Sequence, residues 1–298
     1  MIRRLVSLAA ASVLIASVTV APVAAAPPTS VVAGPPLGLV LPRGTAGLLG
    51  RGKPTVNMTY HNGAIMPTAN TTAIFWGTSW TSSIPTGDKI TGIDSFYTGF
   101  SNSNYAMTSD EYTGKGSTVG PVTTYSGHVV DTSAASGGGN TATILAEVTK
   151  EITTPDPSGY YPVYTDLPRG TANYCAWHSW GLIGTTQVQF AFFWKLDGDA
   201  GCDPQSTVSG ESEGLAALAN VSGHELSEAR TDPFGLGWYD SKGAENGDKC
   251  AWTFNVPYVT FSSNNTTWKI QGEWGNAAYT AGTGYPNSSG QKGCLSGQ

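Results

Sequence analysis

Charge is scarce in this chain. Only 12% of its 298 residues are Asp, Glu, Lys or Arg, against roughly 25% in an ordinary soluble domain. The basic residues number 15 and the acidic ones 21, a shortage of cations that excludes the basic patches used to hold nucleic acid or anionic lipid. Histidine occurs four times, so imidazole chemistry has few places to reside. Cysteine is limited to Cys175, Cys202, Cys250 and Cys294, and the lack of a close C-x-x-C pair argues against a thiolate zinc cage. Beyond the N-terminus no apolar run approaches the roughly 20 residues needed to cross a bilayer, so no membrane span is expected.

The N-terminus carries Arg3 and Arg4, an apolar run from Leu5 to Val20, and then Ala24-Ala25-Ala26. This is the layout of a secretory signal over residues 1–26, and it predicts a secreted, extracellular protein. Without the leader's two arginines, 13 basic residues face 21 acidic ones, a net charge of −8. Residues 27–54, rich in Pro and Gly, read as a linker or short propeptide. Residues 55–298 are then a single globular domain. In an exported chain the four cysteines are expected as disulfides. Three pairings exist, and Cys175–Cys202 with Cys250–Cys294 is favoured because each closes a loop within one half of the chain. N-x-S/T sequons at Asn57, Asn70, Asn220, Asn264, Asn265 and Asn287 serve as hints of exposure.

Periodicity sets the fold class. Val56 to Tyr60 alternates and Thr72 to Trp76 is β-branched and aromatic, which predicts two neighbouring core strands. Tyr160 to Tyr164 and Val188 to Trp194 are further strands, and Tyr112 to Tyr125 reads as turn-rich with irregular strands. Apolar residues at three- and four-residue spacing predict helices over 88–100, around Ile144 to Ile152 up to the Pro155-Asp156-Pro157 break, and over 213–230 with Pro233 as the stop. The expected architecture is α+β: a twisted mixed β-sheet with packed helices, stabilised by disulfides.

The segment most informative about chemistry is Gly223-His224-Glu225-Leu226-Ser227-Glu228. A four-residue spacing puts His224 and Glu228 on one helix face, able to hold one metal ion, with Glu225 beside them as a base. The pattern is the zincin H-E-x-x-H helix with Glu228 in place of the second histidine. Catalytic zinc takes three protein ligands and keeps a position for water. The third ligand is expected from the Glu245-Asn246-Gly247-Asp248 turn, with Asp248 first and Glu245 second. Glu225 is then the general base, and Tyr239 or His178 stabilises the oxyanion. Plainer readings accompany each: a solvated helix face with Arg230 pairing Glu225 or Glu228, and a buried His178 packed by Trp177 and Trp180. Ser179 cannot serve His178 as a nucleophile, because neighbours on a strand point to opposite faces. His61 and His128 read as turn or surface residues, and Glu245 with Asp248 is also a candidate carboxylate pair for glycoside hydrolysis.

In the same order along the chain, Thr59-Tyr60-His61-Asn62-Gly63, Ile74-Phe75-Trp76-Gly77 with Trp80, Tyr174-Cys175-Ala176-Trp177-His178-Ser179, His224 to Glu228, Trp238-Tyr239, Glu245 to Cys250 and Ile270-Gln271-Gly272-Glu273-Trp274 resemble blocks of the phosphate-induced protein 1 (EXORDIUM-like) family. The resemblance covers most of residues 56–275. It implies an extracellular or cell-wall protein associated with growth regulation, without a defined reaction. Asp240 departs from the non-acidic residue of similar plant proteins, which makes it a poor candidate for a shared ligand, and the tail beyond Trp274 is particular to this chain. The expectation is therefore a secreted zinc-dependent hydrolase of metallopeptidase type, with one Zn2+ per chain and a peptide or protein substrate. The alternative is a non-catalytic wall-associated or signalling protein with a structural metal and a cell-wall polymer as partner.

Overall fold

Continuous apolar runs mark the strands that are buried on both faces, as parallel strands between helix layers must be. A computed structural model describes residues 32–45, 56–81 and 87–298. Its main sheet joins β1 (Val32–Ala33), β2 (Leu37–Val40), β4 (Asn70–Trp76), β7 (Thr124–Asp131), β8 (Gly159–Pro168), β9 (Ala176–Ile183) and β10 (Thr186–Lys195). The order is β1-β9-β10-β8-β4-β7, with β2 also pairing β9. β10, β8, β4 and β7 run parallel, whereas β9 is antiparallel to β10, β1 and β2, so the sheet is mixed. Short pieces complete the molecule: β3 (Thr59–Tyr60) pairs β11 (Trp238–Tyr239), β5 (Thr113–Gly114) pairs β6 (Ser117–Thr118), β12 (Val259–Thr260) pairs β13 (Thr267–Trp268), and β14 (Glu273–Trp274), β16 (Lys292–Leu295) and β15 (Tyr285–Pro286) form a fourth small sheet.

Strand alternation splits the core in two. Ala73, Phe75, Tyr160, Tyr164, Ala191 and Phe193 face α1 (Lys89–Phe100) and α3 (Glu213–Thr231). Ile74, Val163, Phe190, Phe192 and Trp177 face α2 (Thr141–Glu151) through Ile144, Leu145 and Val148. The protein is thus α+β, with helices on both faces of a mixed sheet. α3 is the central helix. Every residue from Gly214 to Thr231 is buried, which explains its run of small residues: a β-carbon at Gly223 would meet the Tyr105 hydroxyl at 3.1 Å. Ser212 caps it by accepting from the Leu215 amide at 3.1 Å, and Asp232-Pro233 ends it because proline cannot continue the helix ladder.

The helices fall where the periodicity places them, and both favoured disulfides are present, Cys175–Cys202 and Cys250–Cys294. Other expectations need correction. β3 is two residues long and pairs β11 rather than β4, since its alternating residues cover a loop instead of entering the main sheet. Within the stretch expected to be linker, Val32–Ala33 and Leu37–Val40 are strands on β9. The proposed leader over 1–26 lies outside the described residues. Asn220 is buried and its side-chain oxygen accepts from the Gln271 amide at 2.8 Å, so that sequon does not mark exposure. Among the described residues no helix is long and apolar enough to cross a membrane.

The Cys250–Cys294 bridge spans 44 residues and ties the helix beside the candidate site to β16. Replacing both cysteines by serine is expected to cost roughly 2–4 kcal/mol, read as a lower midpoint in denaturant, with a steeper slope because the unfolded chain without the cross-link exposes more surface.

Candidate metal centre

Three parts of the chain converge on the buried side of α3. The helix presents His224 and Glu228 one turn apart, with His224 Nε2 2.9 Å from Glu228 Oε1. α4 (Asn246–Cys250) brings Asp248 from the opposite side, its Oδ1 3.7 Å from the same nitrogen. Such separations suit two ligands on one ion, each bonded at about 2.0–2.2 Å. α4 is aimed by its own chemistry. The Glu245 amide donates to Asp248 Oδ2 at 3.2 Å in a capping box, and the Asp248 amide donates to Glu228 Oε1 at 2.9 Å. Gly247 lets α4 lie flat on the imidazole, since a β-carbon there would approach the His224 ring to 2.8 Å.

β9 and β2 close the other flank. His178 stands on the α3 face of β9, its Nε2 3.4 Å from Glu245 Oε2. β2 pairs alongside, Leu37 opposite His178, with Gly38 at φ +49°, in the left-handed region that glycine adopts without strain. His178, His224, Glu225 and Glu228 are fully buried, while the Asp248 side chain keeps 11% exposure. Contact with solvent is through a cleft of about 290 Å³ lined by Leu37, Gly38, Asp232, Tyr239, Glu245 and Asp248.

The acidic and histidine groups gathered here could hold a cation. Both oxygens of Glu225, Glu228 Oε2, Glu245 Oε2, His224 Nε2 and both nitrogens of His178 lack a hydrogen-bond partner. Burial pushes the Glu228 carboxyl up to about 8. Asp248 also rises to about 8, through burial and then the neighbouring Glu228. Glu225, Glu245 and Glu273 are raised well above the carboxylate range for the same first reason, burial. Desolvation lowers His224 to about 4 and His178 to about 3. Carboxyls crowded this way resist ionisation together, and a divalent ion reverses that balance.

Gln271 orients the histidine. Its Oε1 accepts from the Trp252 amide at 2.9 Å, and its Nε2 lies 2.6 Å from His224 Nδ1 and 3.3 Å from the Gly247 carbonyl. With the amide nitrogen on Nδ1, the neutral ring carries its proton on Nε2. An ion on Nε2 requires that proton on Nδ1 and an acceptor facing it.

The structure brings together His224, Glu228, Asp248, Glu225, Glu245 and His178. Tyr239 lines the cleft and stacks on His61 with ring centroids 3.6 Å apart; His61 is therefore half-buried rather than a free turn residue. His178 does not line the cleft, because Gly38 covers it. Arg230 pairs neither Glu225 nor Glu228: it is buried, donates to the carbonyls of Ala106 and Gly120, and lies over the Phe100 ring. Asp240 shapes the loop before α4 by accepting from Lys242 and Ala244 amides and pairing Lys249 at 3.2 Å. Gly38, Gln271 and Glu273 carried no role in the motif; Glu273 accepts from the buried Tyr105 hydroxyl at 2.6 Å. No family model, curated protein or solved structure matches this chain.

Two outcomes follow from these groups. Glu228 and Asp248 bind protons more tightly folded than unfolded, so stability falls as pH rises from their ordinary values, 4.5 and 3.8, towards about 8. The depressed histidines act oppositely, but only below their ordinary 6.5. Metal-stripped protein should therefore lose thermal stability between about pH 6.5 and 8, and a divalent ion at 100-fold over its Kd should restore about 2.7 kcal/mol. Separately, Gln271→Glu supplies an acceptor to both His224 Nδ1–H and the Trp252 amide and should tighten metal binding in equilibrium dialysis.

Proposed function

We propose that the protein is an exported zinc-dependent hydrolase of metallopeptidase type, acting on a peptide or protein, with His224, Glu228 and Asp248 as the ligands. The observation that carries this reading is the convergence of His224 Nε2, Glu228 and Asp248 at distances that suit ligands of one ion, next to an open cleft. The α3 segment is then the counterpart of a zincin helix, with a carboxylate replacing the second histidine. Zinc bound there supplies a Lewis acid that lowers the pKa of a water to about 7 and polarises a carbonyl.

The chain's own groups do the rest. Glu225 accepts a proton from the attacking water and returns it to the leaving amine, a role open to it because neither oxygen is otherwise engaged. Tyr239, in the cleft wall with Glu245 and Asp248, offers its phenol to the developing oxyanion. Asp232, whose Oδ1 accepts from the amides of Leu236 and Gly237 at 2.7 and 2.6 Å, holds the turn that delivers Tyr239. Two disulfides and the absence of a membrane-crossing helix among the described residues fit an extracellular setting. Membership of the phosphate-induced protein 1 family belongs to the same proposal, supported by the blocks around His178, His224, Tyr239, Asp248 and Gln271 meeting at one place.

A structural metal in a non-catalytic wall-associated or signalling protein is the second reading, favoured by the complete burial of His224 and Glu228. Chelation and reloading separate the two. The hydrolase reading expects at least one zinc per chain, peptide cleavage by the loaded protein, and a fall of about 10²–10⁴ in that cleavage for Glu225→Gln with metal content unchanged. Zinc below roughly a tenth of an equivalent removes the metal centre altogether. A lowered melting temperature on chelation, with no peptide cut by the loaded protein, gives the structural reading.

A further inference from the structure

We infer that the protein holds a second divalent cation beside the first, ligated by His178, Glu245 and the outer oxygen of Glu228, so that Glu228 bridges two ions; this rests on the metal centre proposed above. Glu228 Oε1 is turned to His224 and to the Asp248 amide. Its Oε2 has no hydrogen-bond partner and faces the other way, towards His178. The direction is set by Gly38: a β-carbon there would lie 1.9 Å from Glu228 Oε2 and 2.8 Å from His178 Nε2, so both atoms border one small region under β2. Glu245 Oε2 borders it too, 3.4 Å from His178 Nε2, and is itself unpartnered.

His178 is the independent sign that this region takes a ligand. It is wholly buried, and neither ring nitrogen makes a hydrogen bond. A histidine kept only for packing leaves two polar atoms unsatisfied, at a cost of about 1–3 kcal/mol each. A cation satisfies the nitrogen that faces the carboxylates. The buried cationic side chains nearby are committed elsewhere, Lys249 to Asp240 and Arg230 to backbone carbonyls. The acidic cluster of Asp131, Glu147 and Glu151 differs, because Lys150 lies among all three and neutralises them.

A carboxylate shared between two ions about 3.5–4 Å apart is the arrangement by which two-metal hydrolases clamp the attacking and leaving atoms. Glu225, whose carboxylate lies within 4.8 Å of ligand atoms of both His178 and Glu228, lines the second position beside them.

The test uses stripped full-length exported protein titrated with Zn2+ alone, with bound metal counted by elemental analysis after desalting. Wild type is expected to retain two equivalents. His178→Gln and the near-isosteric Glu245→Gln should each retain one. Loading with Mn2+ should give a spin-coupled paramagnetic resonance spectrum in wild type and a single-ion spectrum in Glu245→Gln, which keeps the question answerable if His178→Gln fails to fold. Saturation of wild type at one equivalent overturns the second position and leaves the first intact. Two equivalents retained by folded Glu245→Gln and His178→Gln overturn the ligand assignment. No bound zinc at all defeats both positions.

Discussion

Enclosing several carboxyls around a single buried guanidinium, Arg230, whose attraction reaches Glu273 but not the carboxyls beside His224, is the constraint on which the rest of this molecule turns. Glu225, Glu228, Glu245 and Glu273 are all buried around the second half of α3, and Asp248 is nearly so. Ionised together in a medium of low polarity they would repel one another strongly, and protonated they leave acceptors and donors without partners. Either state costs stability that the apolar layers on the two sides of the sheet must supply. Such an expense is ordinary at a functional centre and hard to explain in a purely structural core.

The scaffold is arranged around that expense. α3 is wrapped on all sides, so its polar side chains have a fixed environment instead of a solvated face. The two disulfides clamp the elements that deliver the remaining polar groups: Cys175 immediately precedes β9, which carries His178, and Cys250 ends α4, which carries Asp248. Tyr97, Tyr164 and Ser222 link their hydroxyls at 2.8 and 2.7 Å between α1, the sheet and α3, giving the layer behind Glu225 a hydrogen-bonded order of its own.

Much of this was legible in the residues. The spacing of His224 and Glu228 already implied one face of one helix, and the short Gly-containing connection to Asp248 implied that a carboxylate could fold back onto it. The strand Val188 to Trp194 and the three long helices were equally open, because period is a local property. What stayed hidden was set by tertiary contact. Leu37-Gly38-Leu39 looks like linker because its strand character comes from pairing β9, and three exposed or half-buried residues in four leave no period to detect. Arg230 resembled a surface ion-pair partner because nothing local reveals that a helix is buried all round. Gln271 gave no signal, since a single glutamine orienting an imidazole across the fold has no spacing rule.

Gly38 bears on how the molecule comes to be assembled. The roof over His178 is drawn from β2, the wall from β9, and the floor from α3 and the Gln271 loop, so no short contiguous fragment contains the whole chamber. Leu37 can find His178 only after most of the polypeptide has emerged. Loop-closure entropy makes such a distant pairing a late event. A chain cut back past β2 would therefore carry the His-Glu helix without the enclosure around His178.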